Sequence, residues 1–427
     1  MVVVLAFAID FLEKGVRAMN PSLVALIVVP LLAVAAPLLA ALVGRRFPVP
    51  LVVFEIVLGI LIGPSVLGWV PEDKFLGVIA NFGLAFLFFM AGNEIDFAGI
   101  KGRPIIRSSI GWAVSLVLGV GIGIAIAPNA TAGIIIGIAL TSTALGAILP
   151  MLRDAGELTT PFGRAVTAVG AVGEFGPLIA ISLFLSGRQP LVSALVLVAF
   201  VVISVLAVWA VSRGAHERFH RLIAATLHSS GQLAVRVVVA IVAALVGLSL
   251  AVGLDMLLGA FAAGVICRVL LSGAKKADAE LIEGKLEAVS FGFLVPLFFI
   301  NVGITLNLEE LLSNPESLAL LPIFLVLLLV IRGLPGGLIA APAGSTRKDR
   351  TALVLFSGTG LPIIVAVTAI GIDQKFLEVG TASALVGAGM LSVLIFPLVA
   401  LSLRRRSSDG GVRPRDPETE TEIPVVG

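Results

Sequence analysis

Two ionisable side chains lie well inside apolar segments, and they are the residues of this sequence best suited to chemistry. Glu174 occurs in the run Ala171–Pro177, and Arg332 occurs in the run Leu329–Pro335. Such groups are costly in a medium of low dielectric constant unless they are paired or functional. A carboxylate in that setting favours its neutral form, so Glu174 could hold a proton and release it to a competing cation. The guanidinium of Arg332 stays protonated and could serve only as a fixed counter-charge.

Glu174 and Arg332 lie at similar depths in their segments, which suggests that they form an acid–base pair. One interpretation is a salt bridge that only joins two helices. The other makes Glu174 an ion-binding site at which a proton and a cation exclude each other. Both interpretations require the two segments to lie side by side.

Two clusters of small, hydroxylated and helix-breaking residues accompany these charges. The first contains Thr141, Ser142 and Thr143, and the second contains Ser357, Gly358, Thr359 and Gly360, followed by Pro362. Such residues interrupt helices, free backbone carbonyls and present hydroxyl oxygens to a dehydrated cation. Close helix packing would explain either cluster alone. Two clusters in matching positions favour two interrupted helices at an ion site.

The composition indicates that lipid is the main solvent of the chain. Hydrophobic residues make up 58% of the sequence and charged residues 13%, with a mean hydropathy of +1.13. The net charge of +2 gives no reason to expect a nucleic-acid partner. Cys267 is the only cysteine, which excludes an intramolecular disulfide. The sequence contains no phosphate loop, metal-ligand spacing or catalytic triad, so neither enzyme activity nor a cofactor is expected.

A window of about 20 residues, the length that crosses a bilayer, predicts an all-α integral membrane protein with about thirteen spans. The spans are 22–43, 49–69, 75–92, 105–127, 130–151, 161–186, 190–212, 233–253, 255–272, 288–305, 317–342, 350–371 and 379–403. Residues 1–21 are predicted to be a lead-in, and residues 404–427 a disordered cytoplasmic tail.

The distribution of basic residues supports this number of spans. Successive connections between spans lie on alternate faces of the membrane. The connections that would share one side carry 23 of the 29 Lys and Arg residues. Because cytoplasmic connections are enriched in basic residues, we expect a multi-pass inner-membrane protein with its N-terminus outside and its C-terminus inside.

An internal similarity predicts two inverted repeats. The third span ends in Phe86–Phe97, and the tenth ends in the related string Pro296–Leu308. Spans seven apart point in opposite directions, so repeat one would cover 22–186 and repeat two 233–403, with a linker helix at 190–212. This architecture is typical of transporters.

Several strings also carry a resemblance to a known family. The run Phe54–Gly68 resembles the signature of monovalent cation:proton antiporters of the Kef and bacterial sodium/proton exchanger type. Further similar strings are Phe88–Asp96, Leu140–Ala144, Leu258–Gly264 and Pro296–Leu308, and together they extend over about residues 22–403.

The resemblance implies a homodimer with a scaffold domain, a moving core domain and two crossed, broken helices. It implies that Glu174 is the ion-binding carboxylate and that Arg332 is its basic partner. It places Thr141, Ser142 and Thr143 in the first broken helix, and Ser357, Gly358, Thr359 and Gly360 in the second. It also implies alternating access, with Na+ or K+ and H+ as the exchanged ions.

Two departures from the family refine this expectation. Gly173 stands where electrogenic members have a second carboxylate, so exchange of one cation for one proton without net charge movement is expected. Kef-type relatives carry a C-terminal nucleotide-binding domain, and the segment 404–427 is too short for one.

Two other transport functions stay open. A passive potassium channel would need no titratable site, whereas a sodium-coupled carrier of organic anions would need cationic groups at the site, for which Arg332 is the candidate. Glu94 and Asp96 end the third span near basic residues, so they are expected to be interfacial and not ion ligands.

Overall fold

The computed structural model describes residues 21–44, 49–95, 102–185, 189–214, 232–272 and 276–408. Within these ranges all regular structure is helical. The predictions about most of the lead-in, about Asp96 and about the tail beyond residue 408 lie outside the described residues.

Eighteen α-helices occur in the described part of the chain. They are α1 Pro21–Gly44, α2 Leu51–Ile62, α3 Lys74–Glu94, α4 Arg103–Ile126, α5 Ala130–Leu140, α6 Leu145–Asp154, α7 Pro161–Phe184, α8 Pro190–Gly214, α9 Leu233–Ala251, α10 Met256–Ser272, α11 Lys276–Val289, α12 Val295–Thr305, α13 Leu308–Ser313, α14 Pro315–Leu327, α15 Leu334–Ile339, α16 Arg347–Ser357, α17 Pro362–Asp373 and α18 Val379–Ser408. Two π-helical segments, Ser290–Leu294 and Leu328–Gly333, join α11 to α12 and α14 to α15.

Each predicted span coincides with helical structure. Among the described residues, ten helical segments are long and apolar enough to cross a membrane. The other three spans correspond to shorter apolar helices at Leu51–Ile62, Leu191–Leu206 and Met256–Leu271. The all-helical membrane fold is therefore confirmed, and the number of crossings stays a prediction.

The helices form two bundles that cut across the order of the sequence. In the first bundle, α3 packs on α10, α2 on α12, and α9 on α10. In the second bundle, α4 packs on α5 and α7, and α14 and α16 pack on α18. Each half of the chain contributes helices to both bundles, while α8 packs on α7 and on α10 and bridges the two.

The pairs α3–α10 and α2–α12 are reciprocal: in each, the third span of one predicted repeat packs on the second span of the other. Two equivalent halves require this pattern. Glycines permit both close approaches: a Cβ on Gly264 of α10 would overlap the backbone oxygen of Phe89, and one on Gly303 of α12 would overlap that of Ile56. Small residues allow membrane helices to approach this closely. The division into repeats at 22–186 and 233–403 stays a prediction that this pairing supports.

Candidate functional site

Two helices are interrupted at the predicted places. The first break separates α5 from α6 between Leu140 and Leu145, and the second separates α16 from α17 between Ser357 and Pro362. Pro362 is the first residue of α17, where its missing N–H costs no hydrogen bond. Helix-breaking composition therefore located both breaks correctly.

The two unwound connections contact each other. The Ala144 N–H donates to the Thr359 carbonyl at 2.7 Å, and the Thr143 hydroxyl donates to the Ser357 carbonyl at 2.8 Å. The Thr143 N–H donates to the Gly173 carbonyl of α7 at 3.1 Å. Backbone groups that a helix leaves unpaired are costly in an apolar interior, and these contacts satisfy several of them.

Most of the predicted hydroxyl groups donate to their own helices. Thr141 and Ser142 donate to the carbonyls of Ile138 and Ala139, both at 2.8 Å. Ser357 and Thr359 donate to the carbonyls of Leu353 and Leu355, at 2.6 and 3.0 Å. Their oxygens keep lone pairs that could accept a cation. Thr143 differs because it connects different segments.

Glu174 is buried on α7 beside the first break. The helix begins after Thr160, whose hydroxyl caps it by accepting from the Gly163 N–H at 3.0 Å. The Glu174 side chain is only 3% exposed, and its Oε1 accepts from the Gly146 N–H at 3.4 Å. Gly146 is the second residue of α6, so the carboxyl faces a helix N-terminus, which favours negative charge. Among the described residues, Glu174 Oε2 has no hydrogen-bond partner.

Arg332 is fully buried in the π-helical segment Leu328–Gly333. Its Nε donates to Thr143 Oγ1 at 2.8 Å, and its Nη2 donates to the Val169 carbonyl at 2.7 Å. Its Nη1 has no hydrogen-bond partner in the described part of the chain.

The expected ion pair between Arg332 and Glu174 is wrong. No salt bridge within 4.0 Å joins these two described residues. The guanidinium instead binds the unwound segment and the backbone of α7, where Val169 lies more than one turn before Glu174. Gly173 allows this approach, because a Cβ there would lie 2.6 Å from Arg332 Nη2. Arg332 is thus close to the Glu174 segment without neutralising its carboxyl by direct contact.

Glu94 is a neighbour of the site that the sequence did not identify. Glu94 is the last residue of α3, and its side chain is partly buried. The interfacial assignment rested on nearby basic residues, whereas α3 packs against α6, the helix whose Gly146 N–H donates to Glu174. The pairing of α3 with α6 has no signature in the local sequence.

Within the described residues, no group of three or more His, Cys, Asp or Glu side chains is placed to hold a metal ion. The site thus has one carboxylate, two unwound backbone segments with their hydroxyls, and a nearby fixed cation. Such a set suits a weakly bound monovalent ion or a proton better than a divalent ion, which takes several charged oxygen ligands.

Several known proteins are similar to this chain. The Putative Na(+)/H(+) antiporter YjbQ of Bacillus subtilis is 25% identical over 427 residues, which cover 96% of this chain and 66% of YjbQ. Cation/H(+) antiporter 19 of Arabidopsis thaliana is 26% identical, and the match covers 88% of this chain but 50% of that protein. The Na(+)/H(+) antiporter of Enterococcus hirae is 25% identical, with 84% and 92% of the two chains covered. The chain therefore spans about two thirds or less of some relatives and nearly all of another.

The fold also matches a solved structure. The sodium proton antiporter MjNhaP1 of Methanocaldococcus jannaschii superposes with a TM-score of 0.67 over 91% of this chain and 98% of that one, at 15% identity. The family model of the sodium/hydrogen exchanger transmembrane region matches residues 3–401. This chain belongs to the sodium/hydrogen exchanger family.

Proposed function

We propose that the protein exchanges a monovalent cation, Na+ or K+, for a proton by alternating access, with both ions competing for Glu174. The observation that carries the proposal is Glu174 Oε2, which has no hydrogen-bond partner among the described residues and is buried at the N-terminus of α6, beside the first unwound segment. The names of the relatives, all of them cation/proton antiporters, support the same class of transport.

Competition at one carboxylate is enough to couple the two ions. A buried carboxylate without a partner is costly when ionised, so it takes up either a proton or a cation. Binding of the cation requires release of the proton, and the reverse step returns the site to its protonated form. The Thr141, Ser142 and Thr143 hydroxyl oxygens and the 357–360 segment are proposed to supply the remaining cation ligands.

Arg332 is proposed to act as a fixed positive charge near the site. Since it does not deprotonate in proteins, it takes no part in moving the proton. The site carries the same net charge when it holds one proton as when it holds one monovalent cation. Exchange is therefore proposed to be electroneutral, with one cation for one proton.

The two bundles provide a basis for alternating access. Glu174 and both unwound segments belong to the second bundle, and α8 links it to the first. A movement of one bundle against the other would expose the same site to either face of the membrane. We further propose a homodimer in the plasma membrane, with the N-terminus outside and the C-terminus inside.

The decisive experiment measures proton movement in proteoliposomes. A pH gradient is imposed, and Na+, K+ or Li+ is added to the wild type and to Glu174→Gln. We expect cation-dependent collapse of the gradient in the wild type and none in the variant. Glu55→Gln is the matched control, because Glu55 is also a buried carboxylate, 2% exposed, but lies on α2 in the first bundle. Cation-dependent exchange by Glu174→Gln would refute the proposal.

The same experiment separates the other transport functions. A channel would conduct the cation in Glu174→Gln without moving protons. A sodium-coupled organic-anion carrier is disfavoured because two of the guanidinium nitrogens of Arg332 are already engaged by Thr143 and Val169. The exchange rate would also be measured at several clamped membrane potentials. A rate that does not depend on the potential would support electroneutral exchange.

A further inference from the structure

An apolar groove of about 920 Å³ lies where the two bundles meet. Its walls come from α4 and α7 of the second bundle, from α10 of the first, and from the bridging helix α8. The residues that define it here are Trp112, Phe175, Val201, Val205, Phe261 and Val269. Ligand pockets in proteins measure about 300–1,000 Å³, so this groove is large enough for a small molecule or a lipid chain.

The groove is close to the candidate ion site but separate from it. Phe175 follows Glu174 directly, and its ring stacks on that of Phe261, with centroids 5.0 Å apart, which joins the two bundles. Trp112 lies against α7 at Gly176, where a Cβ would be 2.6 Å from the indole Cδ2. Glu174 itself does not line the groove.

The chemistry of the lining limits the occupant. Among the described residues that line the groove there is no ionisable side chain, and the polar ones are two serines and the indoles of Trp112 and Trp209. A cation, a phosphate or a lipid headgroup would lose its hydration there without gaining charged partners. An unbranched hydrocarbon loses nothing comparable and gains contacts with the apolar walls.

The groove opens toward the surface of helices that belong to a membrane-spanning fold. Val205 of α8 is 60% exposed and Val269 of α10 is 51% exposed, and both line the groove. In a bilayer this opening faces hydrocarbon, so acyl chains are the most abundant molecules at its mouth. We propose that the groove holds an acyl chain of a bilayer phospholipid, inserted between the two bundles beside the Phe175–Phe261 stack.

The protein carries its own reporter for this site. It has three tryptophans, Trp69, Trp112 and Trp209, and the last two line the groove. Replacing Trp69 and Trp209 by Phe leaves Trp112 as the single fluorophore. The full chain would be reconstituted into phosphatidylcholine with unmodified chains, or with chains brominated near their middle, because bromine quenches indole fluorescence on contact. We expect loss of much of the Trp112 emission in the brominated vesicles.

Two neighbouring valines on α8 provide a matched pair of variants. Val201 lines the groove and is 46% exposed, whereas Val202 does not line it and is 49% exposed. In the single-tryptophan protein, Val201→Phe should fill part of the groove and reduce the quenching of Trp112. Val202→Phe should leave the quenching unchanged, although it adds the same ring to the same helix. If Val201→Phe does not yield folded protein, Ala262→Leu on α10 serves as the second filling variant.

The proposal is overturned if brominated chains fail to quench Trp112, since a segment of this chain or a second copy would then cover the groove. It is also overturned if the filling variants and Val202→Phe give equal quenching, because Trp112 would then be reached by another route. The test involves no ion transport, so its failure would leave the proposed exchange activity untouched.

Discussion

Thr143 and Ser357, which are 214 residues apart in the chain, are joined by a hydrogen bond of 2.8 Å from the Thr143 hydroxyl to the Ser357 carbonyl. The same hydroxyl oxygen accepts from Arg332 Nε at 2.8 Å. One side chain thus ties the first broken helix to the second and to the buried cation. If this junction holds the two unwound segments in place, substitutions at Thr143, Gly173 and Arg332 should each reduce exchange.

Thr143→Val should abolish most exchange and destabilise the protein. The change keeps the shape of the side chain but leaves the Ser357 carbonyl and Arg332 Nε without their partner. An unsatisfied buried polar group costs about 1–3 kcal/mol. Cation-dependent proton flux and the thermal unfolding midpoint would be measured on purified protein.

Thr141→Val is the control for this substitution. Among the described residues, its hydroxyl bonds to the Ile138 carbonyl of its own helix and to no other segment. We expect a smaller loss of stability than in Thr143→Val, whereas flux should fall in both variants because the Thr141 oxygen is also a proposed cation ligand. Equal losses of stability in the two variants would contradict a role for Thr143 in joining the segments. Thr143→Ser should retain the wild-type contacts.

Gly173→Ala should disturb the site through a single methyl group. A Cβ at this position would lie 2.6 Å from Arg332 Nη2 and equally close to Thr143 Cβ. Overpacking of this kind typically costs about 1–3 kcal/mol. We expect reduced flux and a lower unfolding midpoint. Gly247→Ala on α9 is the control because nothing lies within 4 Å of a Cβ there, and it should leave flux unchanged.

Arg332→Lys and Arg332→Gln should distinguish the effect of the positive charge of Arg332 from the effect of its hydrogen bonds. Lysine keeps the positive charge but, as a compact ammonium, cannot reproduce the fork that binds both Thr143 Oγ1 and the Val169 carbonyl. We expect slower exchange and lower thermal stability in Arg332→Lys, and no exchange in Arg332→Gln. Flux against cation concentration would be recorded for both. Equal flux in the two variants would show that the charge of Arg332 is not required.

Arg404→Gln should loosen the far ends of both broken helices. The Arg404 guanidinium binds Glu157, in the turn after α6, at 2.6 and 2.8 Å, and Asp349, in the first turn of α16, at 2.5 Å. It also lies 4.3 Å from the centre of the Phe162 ring. Hydrogen bonds to charged groups contribute about 1.5–3 kcal/mol when buried, and less when solvent screens them. Since the Arg404 side chain is 19% exposed, we expect an intermediate loss of stability.

High salt should reproduce part of the Arg404 effect in the wild type, because partly exposed charges are screened. The measurement is the unfolding midpoint at low and high salt for the wild type and Arg404→Gln. A salt dependence that is unchanged by the substitution would contradict a contribution from these ion pairs. Arg268→Gln is the matched control, since the Arg268–Glu283 pair is more exposed and lies in the first bundle.

The sequence by itself determined the class of the molecule and the residues at its centre. Apolar segments of bilayer length produce helices because the backbone must satisfy its hydrogen bonds internally in lipid. The residues at 141–146 and 357–362 located the interruptions. At the first break, the Thr141 and Ser142 hydroxyls bond to nearby backbone carbonyls, and at the second break glycine and Pro362 act through local geometry. A lone buried carboxylate marked Glu174 for the same local reason: its cost in an apolar run is visible without any tertiary contact.

Only the tertiary structure decided which segments meet. Three features depend on how helices pack. They are the mixing of the two halves of the chain in each bundle, the packing of α3 against α6, and the binding of Arg332 to Thr143 and Val169 instead of to Glu174. Depth along a helix can be read from a sequence, but the direction of a side chain around the helix axis and the identity of the neighbouring helix depend on contacts between distant residues. For Arg332, packing places the guanidinium against Thr143 and the Val169 carbonyl, more than one turn before Glu174 along α7. It therefore makes hydrogen bonds to a hydroxyl group and to the backbone instead of an ion pair.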